Sequence, residues 1–157
     1  MNLSDILKYG HQTVLNVVDG LPDKAWDQEG VCGVWSVKDV VAHLTSFEHM
    51  LVDVLNELLD GGPTPYLDEF RTSKQFNDDQ VAKRKATSPA QVLTEYQDTH
   101  AKVMALAARI PPEQCRENGT LPWYGKEYSL DDFVVYSFYG HKREHSAQIA
   151  LFKKRLG

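Results

Sequence analysis

The chain has 157 residues, 17 basic and 22 acidic side chains, and a net charge of −5, which suits one domain that buries its core without disulfide or metal staples. Its basic residues gather only in short runs such as Lys83–Lys85 and Lys153–Arg155, which argues against nucleic acid as a partner. No window approaches eighteen apolar residues, so no membrane span is expected. Cys32 and Cys115 show no Cys-x-x-Cys spacing and follow no signal-like segment, so the expectation is free thiols in a cytoplasmic protein.

In chain order, the first helix is expected from about Asn2 to Asp19, with Leu3, Leu7, Val14 and Val18 on one stripe, and it stops at Gly20 and Pro22. The second starts at "WSVKD", where Ser36 caps and Asp39 reaches back, and carries a broad apolar face from Val37 to Leu58 before "DGGPTP" ends it. The polar segment from Tyr66 to Arg84 reads either as a short helix across the bundle end or as a crossover loop. A third helix starts at Ser88 with Pro89 in its first turn and runs to about Ile110, where two prolines end it. The connection from Pro111 to Tyr128 contains the aromatic "LPWYGKEY". The fourth helix opens at Ser129, with Asp131 and Asp132 against its dipole, and runs to about Lys154. Residues 1–157 thus form one all-α domain, an antiparallel four-helix bundle with one long crossover.

At about 100° per residue, the fourth stripe passes through Leu130, Val134, Phe138, His141, His145 and Phe152, with Gln148 beside it. Histidines four apart stack their rings on one helix face and can converge on one ion. His43 lies at the edge of the second stripe, Glu48 at its other edge, and His49 is expected in solvent. Lys142, Arg143 and Glu144 turn away from the inward face. His11 and His100 also fall on apolar stripes, where a single histidine is ordinarily a hydrogen-bonded core residue. A site of His43, His141 and His145 leaves a coordination position open, as catalytic metals require. Imidazole suits zinc, nickel, iron and copper without choosing among them.

"GVWSVKDVVAHLTSFE" (33–48), followed about a hundred residues later by "YGHKREHSAQI" (139–149), resembles the DinB-like superfamily, to which mycothiol-dependent maleylpyruvate isomerase is related. In that family a tryptophan precedes a capped second helix, a histidine follows about eight residues in, and the last helix carries H-x-x-x-H. The resemblance covers essentially the whole chain. It implies His43, His141 and His145 as metal ligands, and leaves His11 and His100 to core or pocket lining.

What the resemblance implies for activity is a divalent-metal enzyme with zinc or nickel, or else iron or manganese, and with a low-molecular-weight thiol as a further cofactor. Characterised relatives include thiol-dependent isomerases and transferases, and a branch that hydrolyses a reactive cyclopropane toxin. The expected substrate is a small electrophile met in stress or detoxification. The alternative is a non-catalytic bundle that binds a small molecule or dimerises, with structural histidines. Trp35, Trp123 and Tyr124 either wall a pocket or cap the core, and Glu48 either orients an imidazole or is solvated. Tyr136 and Tyr139 lie off the histidine stripe, which is consistent with a homodimer.

Overall fold

The computed structural model describes residues 2–157, and three of its helices begin at serines that close capping boxes. The Ser36 hydroxyl accepts from the Asp39 N–H while the Asp39 carboxylate accepts from the Ser36 N–H, both at 3.1 Å. Ser88 with Gln91 and Ser129 with Asp132 repeat the exchange. Each box satisfies backbone donors that a first helical turn leaves free. The helices are α1 (Leu3–Val18), α2 (Asp23–Trp26), α3 (Val37–Leu59), α4 (Pro65–Thr72), α5 (Phe76–Lys83), α6 (Pro89–Ala107), α7 (Pro112–Arg116), α8 (Leu130–Val134) and α9 (Gly140–Leu156). The only β pairing among the described residues is an isolated bridge between Cys32 and Trp35. No described helix is long and apolar enough to cross a membrane.

Contacts along the long helices fix their directions. Lys85 reaches Asp39, Glu95 reaches His49 and Arg109 reaches Asp60, so α3 and α6 advance together. Gly10 lies against Tyr139, and Lys153 donates to the Val17 carbonyl, so α1 and α9 also run in one direction. The antiparallel relation holds between these pairs: His43 faces His145 while Phe47 faces Phe138 further back along the chain. A parallel α3–α6 pair needs a long connection, and the crossover supplies it as α4 and α5. The Asp53 carboxylate accepts from the N–H groups of Tyr66 and Leu67 at 2.7 and 3.1 Å, anchoring the start of α4 to α3.

The fourth expected helix is interrupted. Between α8 and α9 the chain makes a π-helical turn over Val135–Tyr139, and the Gly140 N–H donates to the Val135 carbonyl five residues back. A Cβ at Gly140 would stand 3.3 Å from that carbonyl oxygen, so glycine gives the wide turn its room. The turn inserts one residue into the helical count. The buried stripe of α9 is therefore Lys142, His145, Ser146, Ile149 and Phe152, with His141 at its edge. Lys142, expected to face away, is 2% exposed.

Two apolar cores fill the bundle. One gathers Leu3, Leu7, Leu51, Leu55, Val103, Phe133 and Phe138; the other gathers Val14, Val18, Val40, Leu44, Val92, Ile149 and Phe152. Between them each long helix contributes polar side chains: His11 from α1, His43 and Glu48 from α3, Thr99 and His100 from α6, and His141, Lys142 and His145 from α9. A belt of buried polar groups across the middle of a bundle costs stability unless it is internally paired.

Candidate metal centre

His43 lies two turns into α3, behind Trp35. Gly33, at φ +59°, turns the chain so that Cys32 and Trp35 pair, and the Trp35 ring then lies 5.0 Å from the His43 ring. Phe47, one turn on, meets His43 edge-on at 5.0 Å. From α9, His141 and His145 present their rings one turn apart. The His141 Nε2 lies 2.9 Å from His43 Nε2 and 3.0 Å from His145 Nε2. One ligand atom from each of the three histidines can be chosen so that all lie within 4.8 Å of one another.

The chemistry of these nitrogens suits a cation. His145 Nδ1 sits 2.8 Å from the Gln148 side-chain oxygen, which only accepts, so Nδ1 carries the proton and Nε2 presents a lone pair. A proton on His141 Nε2 can serve one of its two close neighbours, which leaves the other contact as lone pair against lone pair. A cation at the meeting point satisfies all three. Protonation does not relieve the crowding. Burial, then His141 and His145, push His43 down to about 2. Burial, His145 and Lys142 push His141 to about 4, against a raising contribution from the Ser137 carbonyl. Neutral imidazoles are the form that binds metal.

Beside this cluster is a second one that the sequence did not announce. Glu48, expected at a solvated edge or behind an imidazole, is 0% exposed and pairs with the Lys142 ammonium. Its Oε1 lies 3.9 Å from His100 Nδ1. The His100 and His11 rings stack at 3.7 Å and 4°, and Tyr96 lies 5.0 Å beyond His11. Burial pushes the Glu48 carboxyl up, but Lys142 and His100 outweigh it and hold it at about 2. Burial, then His100 and Lys142, push His11 to about 3. Glu48 therefore serves Lys142, not an imidazole of the first cluster. His49, expected in solvent, is only partly exposed: it meets the Glu95 carboxylate at 2.8 Å and stacks on Tyr66 at 4.5 Å. The crossover that covers this flank of α3 has no local signature in α3 itself.

Trp35 belongs to the surroundings of His43, but Trp123 and Tyr124 do not. They pack on Phe133 at 5.4 and 4.8 Å, capping one apolar core. The cleft that opens onto His141 has a volume of about 340 Å³ and is lined by Phe47, Tyr136, Ser137, Gly140 and Glu144. Of these, Phe47 falls within the apolar face expected between Val37 and Leu58, and Gly140 has no sequence signal beyond a glycine inside a helical pattern.

The sequence profile of the mycothiol maleylpyruvate isomerase N-terminal domain matches residues 7–127, a span that includes His43 and stops short of His141 and His145. No curated protein matches the chain. Among solved structures, a protein from Streptococcus pneumoniae superposes with a TM-score of 0.76 at 10% identity, covering 98% of this chain and 91% of that one. The colibactin self-resistance protein ClbS, solved in complex with a double-stranded DNA, gives a TM-score of 0.73 at 12% identity, covering 97% and 93%. At such identities the likeness is one of fold.

Proposed function

This chain belongs to the mycothiol maleylpyruvate isomerase N-terminal domain family, of DinB-like type, and from that premise we propose that it is a divalent-metal-dependent enzyme acting on a small electrophile with a low-molecular-weight thiol. The observation that carries the reading is the meeting of three imidazole nitrogens from two helices at 2.9 and 3.0 Å. In it, His43, His141 and His145 would hold the metal, with Gln148 fixing the tautomer of His145 so that its Nε2 is free to bind. A metal bound there lowers the pKa of a thiol or water in its open position. The all-nitrogen donor set suits zinc, nickel and iron without choosing among them, and the family resemblance puts zinc or nickel first, then iron or manganese.

The chain's own residues provide the rest. Trp35 and Phe47 flank His43 and exclude water from one side. The cleft over His141 receives the substrate between Phe47 and Tyr136. The proposed partner is a small molecule rather than DNA, because a net charge of −5 repels a phosphate backbone. ClbS, solved with DNA, shares the fold at 12% identity.

The test is elemental analysis of protein purified without a histidine tag, followed by thiol-consumption assays against a panel of electrophiles. The reading expects bound metal in the wild type, loss of it in His141→Ala and His145→Ala, and a rate that a chelator abolishes. Absence of metal under zinc, nickel, iron and manganese supply, or a rate indifferent to chelation, contradicts it.

A further inference from the structure

We infer that the buried Glu48–Lys142 ion pair is the positioning element of the three-histidine site: it locks α9 against α3 in the one register that brings the imidazole nitrogens together. This inference rests on the metal-site reading above. The pair ties the same two helices that carry the histidines. Glu48 is five residues after His43, and Lys142 is the residue next to His141. Both partners are essentially inaccessible, at 0% and 2% exposure.

The physical case has three parts. A buried ion pair is a poor source of stability, since apolar side chains of similar volume fold at least as well in its place, and its best-attested use is to fix register. The imidazole cluster cannot fix its own register, because three neutral rings meeting nitrogen to nitrogen with too few protons between them are driven apart. The apolar contacts around this seam, Phe47 against Phe138 in the π turn at 6.0 Å and Ile149 and Phe152 in one core with Val40 and Leu44, are non-directional, whereas a carboxylate and an ammonium in hydrogen-bond contact are not. A slip of α9 by one residue, about 1.5 Å and 100°, would separate Lys142 from Glu48 and leave two buried charges unpaired. Lys142 is braced on its other side by the Tyr96 ring, 5.4 Å from its ammonium, and by the bare backbone of Gly10, where an added Cβ would stand 3.5 Å from the lysine stem.

The experiment replaces both charges with apolar groups of similar size, Glu48→Leu together with Lys142→Met, and reads thermal stability, zinc and nickel affinity by titration calorimetry, and ring-to-ring contacts of the histidines by NMR without metal. The expected result is a folded double variant with an unchanged or higher melting temperature, metal affinity reduced about tenfold or more, and loss of the His43–His141 ring contact in the metal-free protein. Unchanged affinity with the ring contact retained overturns the inference and leaves the pair a structural feature. If the wild type takes up no metal, the reading of function fails by itself. The NMR comparison still decides the present inference, because retention of the ring contact in the double variant would sink it. Should the double variant not fold, Glu48→Asp shortens the carboxylate by one methylene within the same charge scheme; loss of the His43–His141 contact supports the inference and its full retention refutes it.

Discussion

His43, His141 and His145 aim their Nε2 atoms at one another at 2.9 and 3.0 Å, whereas His11 and His100 lie face to face at 3.7 Å beside Glu48 and Lys142. Both groups occupy the same polar belt, the first carried by α3 and α9 alone and the second by α1, α3, α6 and α9. In the second group a cation is already present as the Lys142 ammonium, with a buried carboxylate to balance it. In the first there is no carboxylate and no internal cation, only converging lone pairs. The belt therefore holds one ion pair supplied by the chain and, beside it, a set of three histidines whose arrangement is compatible with a metal ion. Counting histidines on apolar stripes does not separate these cases; the side chains between the rings do.

The two clusters should differ most in their response to loss of Lys142. Lys142→Met leaves the Glu48 carboxylate buried and uncompensated, and should cost about 3–5 kcal/mol of stability in denaturant unfolding. A cost below about 1 kcal/mol would mean that the Glu48–Lys142 pair is not sealed from water. By contrast, the metal-free protein should tolerate His141→Ala to within about 1–2 kcal/mol, since removing one of three crowded imidazoles relieves lone-pair contact. The two substitutions are adjacent in sequence, so their difference isolates the role of the neighbour each one loses.

Acid should act on both groups in the same sense. His11 and His43 remain neutral in the folded protein down to about 3 and 2 because they are buried among cationic or imidazole neighbours, whereas in the unfolded chain they protonate near 6.5. Below pH 6.5 the unfolded state binds protons that the folded state refuses, so stability falls with pH. Glu48 acts further down: its folded value is depressed to about 2, so its contribution is complete above about 4.5 and is lost as pH drops from there toward 2. Melting temperatures of metal-free protein from pH 7.5 to 3 should decline from about 6.5 onward, and His11→Phe should flatten the upper part of that decline. A flat profile between pH 6.5 and 5 would contradict the burial assigned to these rings.

The smallest effect belongs to an ion pair outside the belt. Arg109 and Asp60 join α6 to α3 at 3.1 Å with both side chains more than half exposed. Asp60→Asn should change stability by less than about 0.5 kcal/mol and leave metal affinity untouched, which makes it the control for Lys142→Met.

The fold was largely legible where local chemistry determines it. Ser36, Ser88 and Ser129 announced their helices, because a capping box is spelled within four residues. The crossover was legible as a short helix or a loop, and its division into two helices was not, since they depend on packing against Phe47 and on Asp53. Within the site, the convergence of His43 with His141 and His145 could be anticipated from spacing and resemblance together. Lys142 was misplaced because counting at a constant 100° from Leu130 ignores the π turn at Val135–Tyr139. Glu48 and His49 were misplaced because their partners lie 94 and 46 residues away, and no helical count contains that information.

In the proposed reading, three imidazoles from α3 and α9 make one metal site. Titration of tag-free protein with zinc or nickel, for the wild type and for alanine at His43, His141 and His145 in turn, tests it most directly. One ion per chain is expected in the wild type, with at least about a hundredfold weaker binding for each variant and no comparable loss for His11→Ala. Binding that survives the loss of any one of the three, or that depends equally on His11, would contradict it.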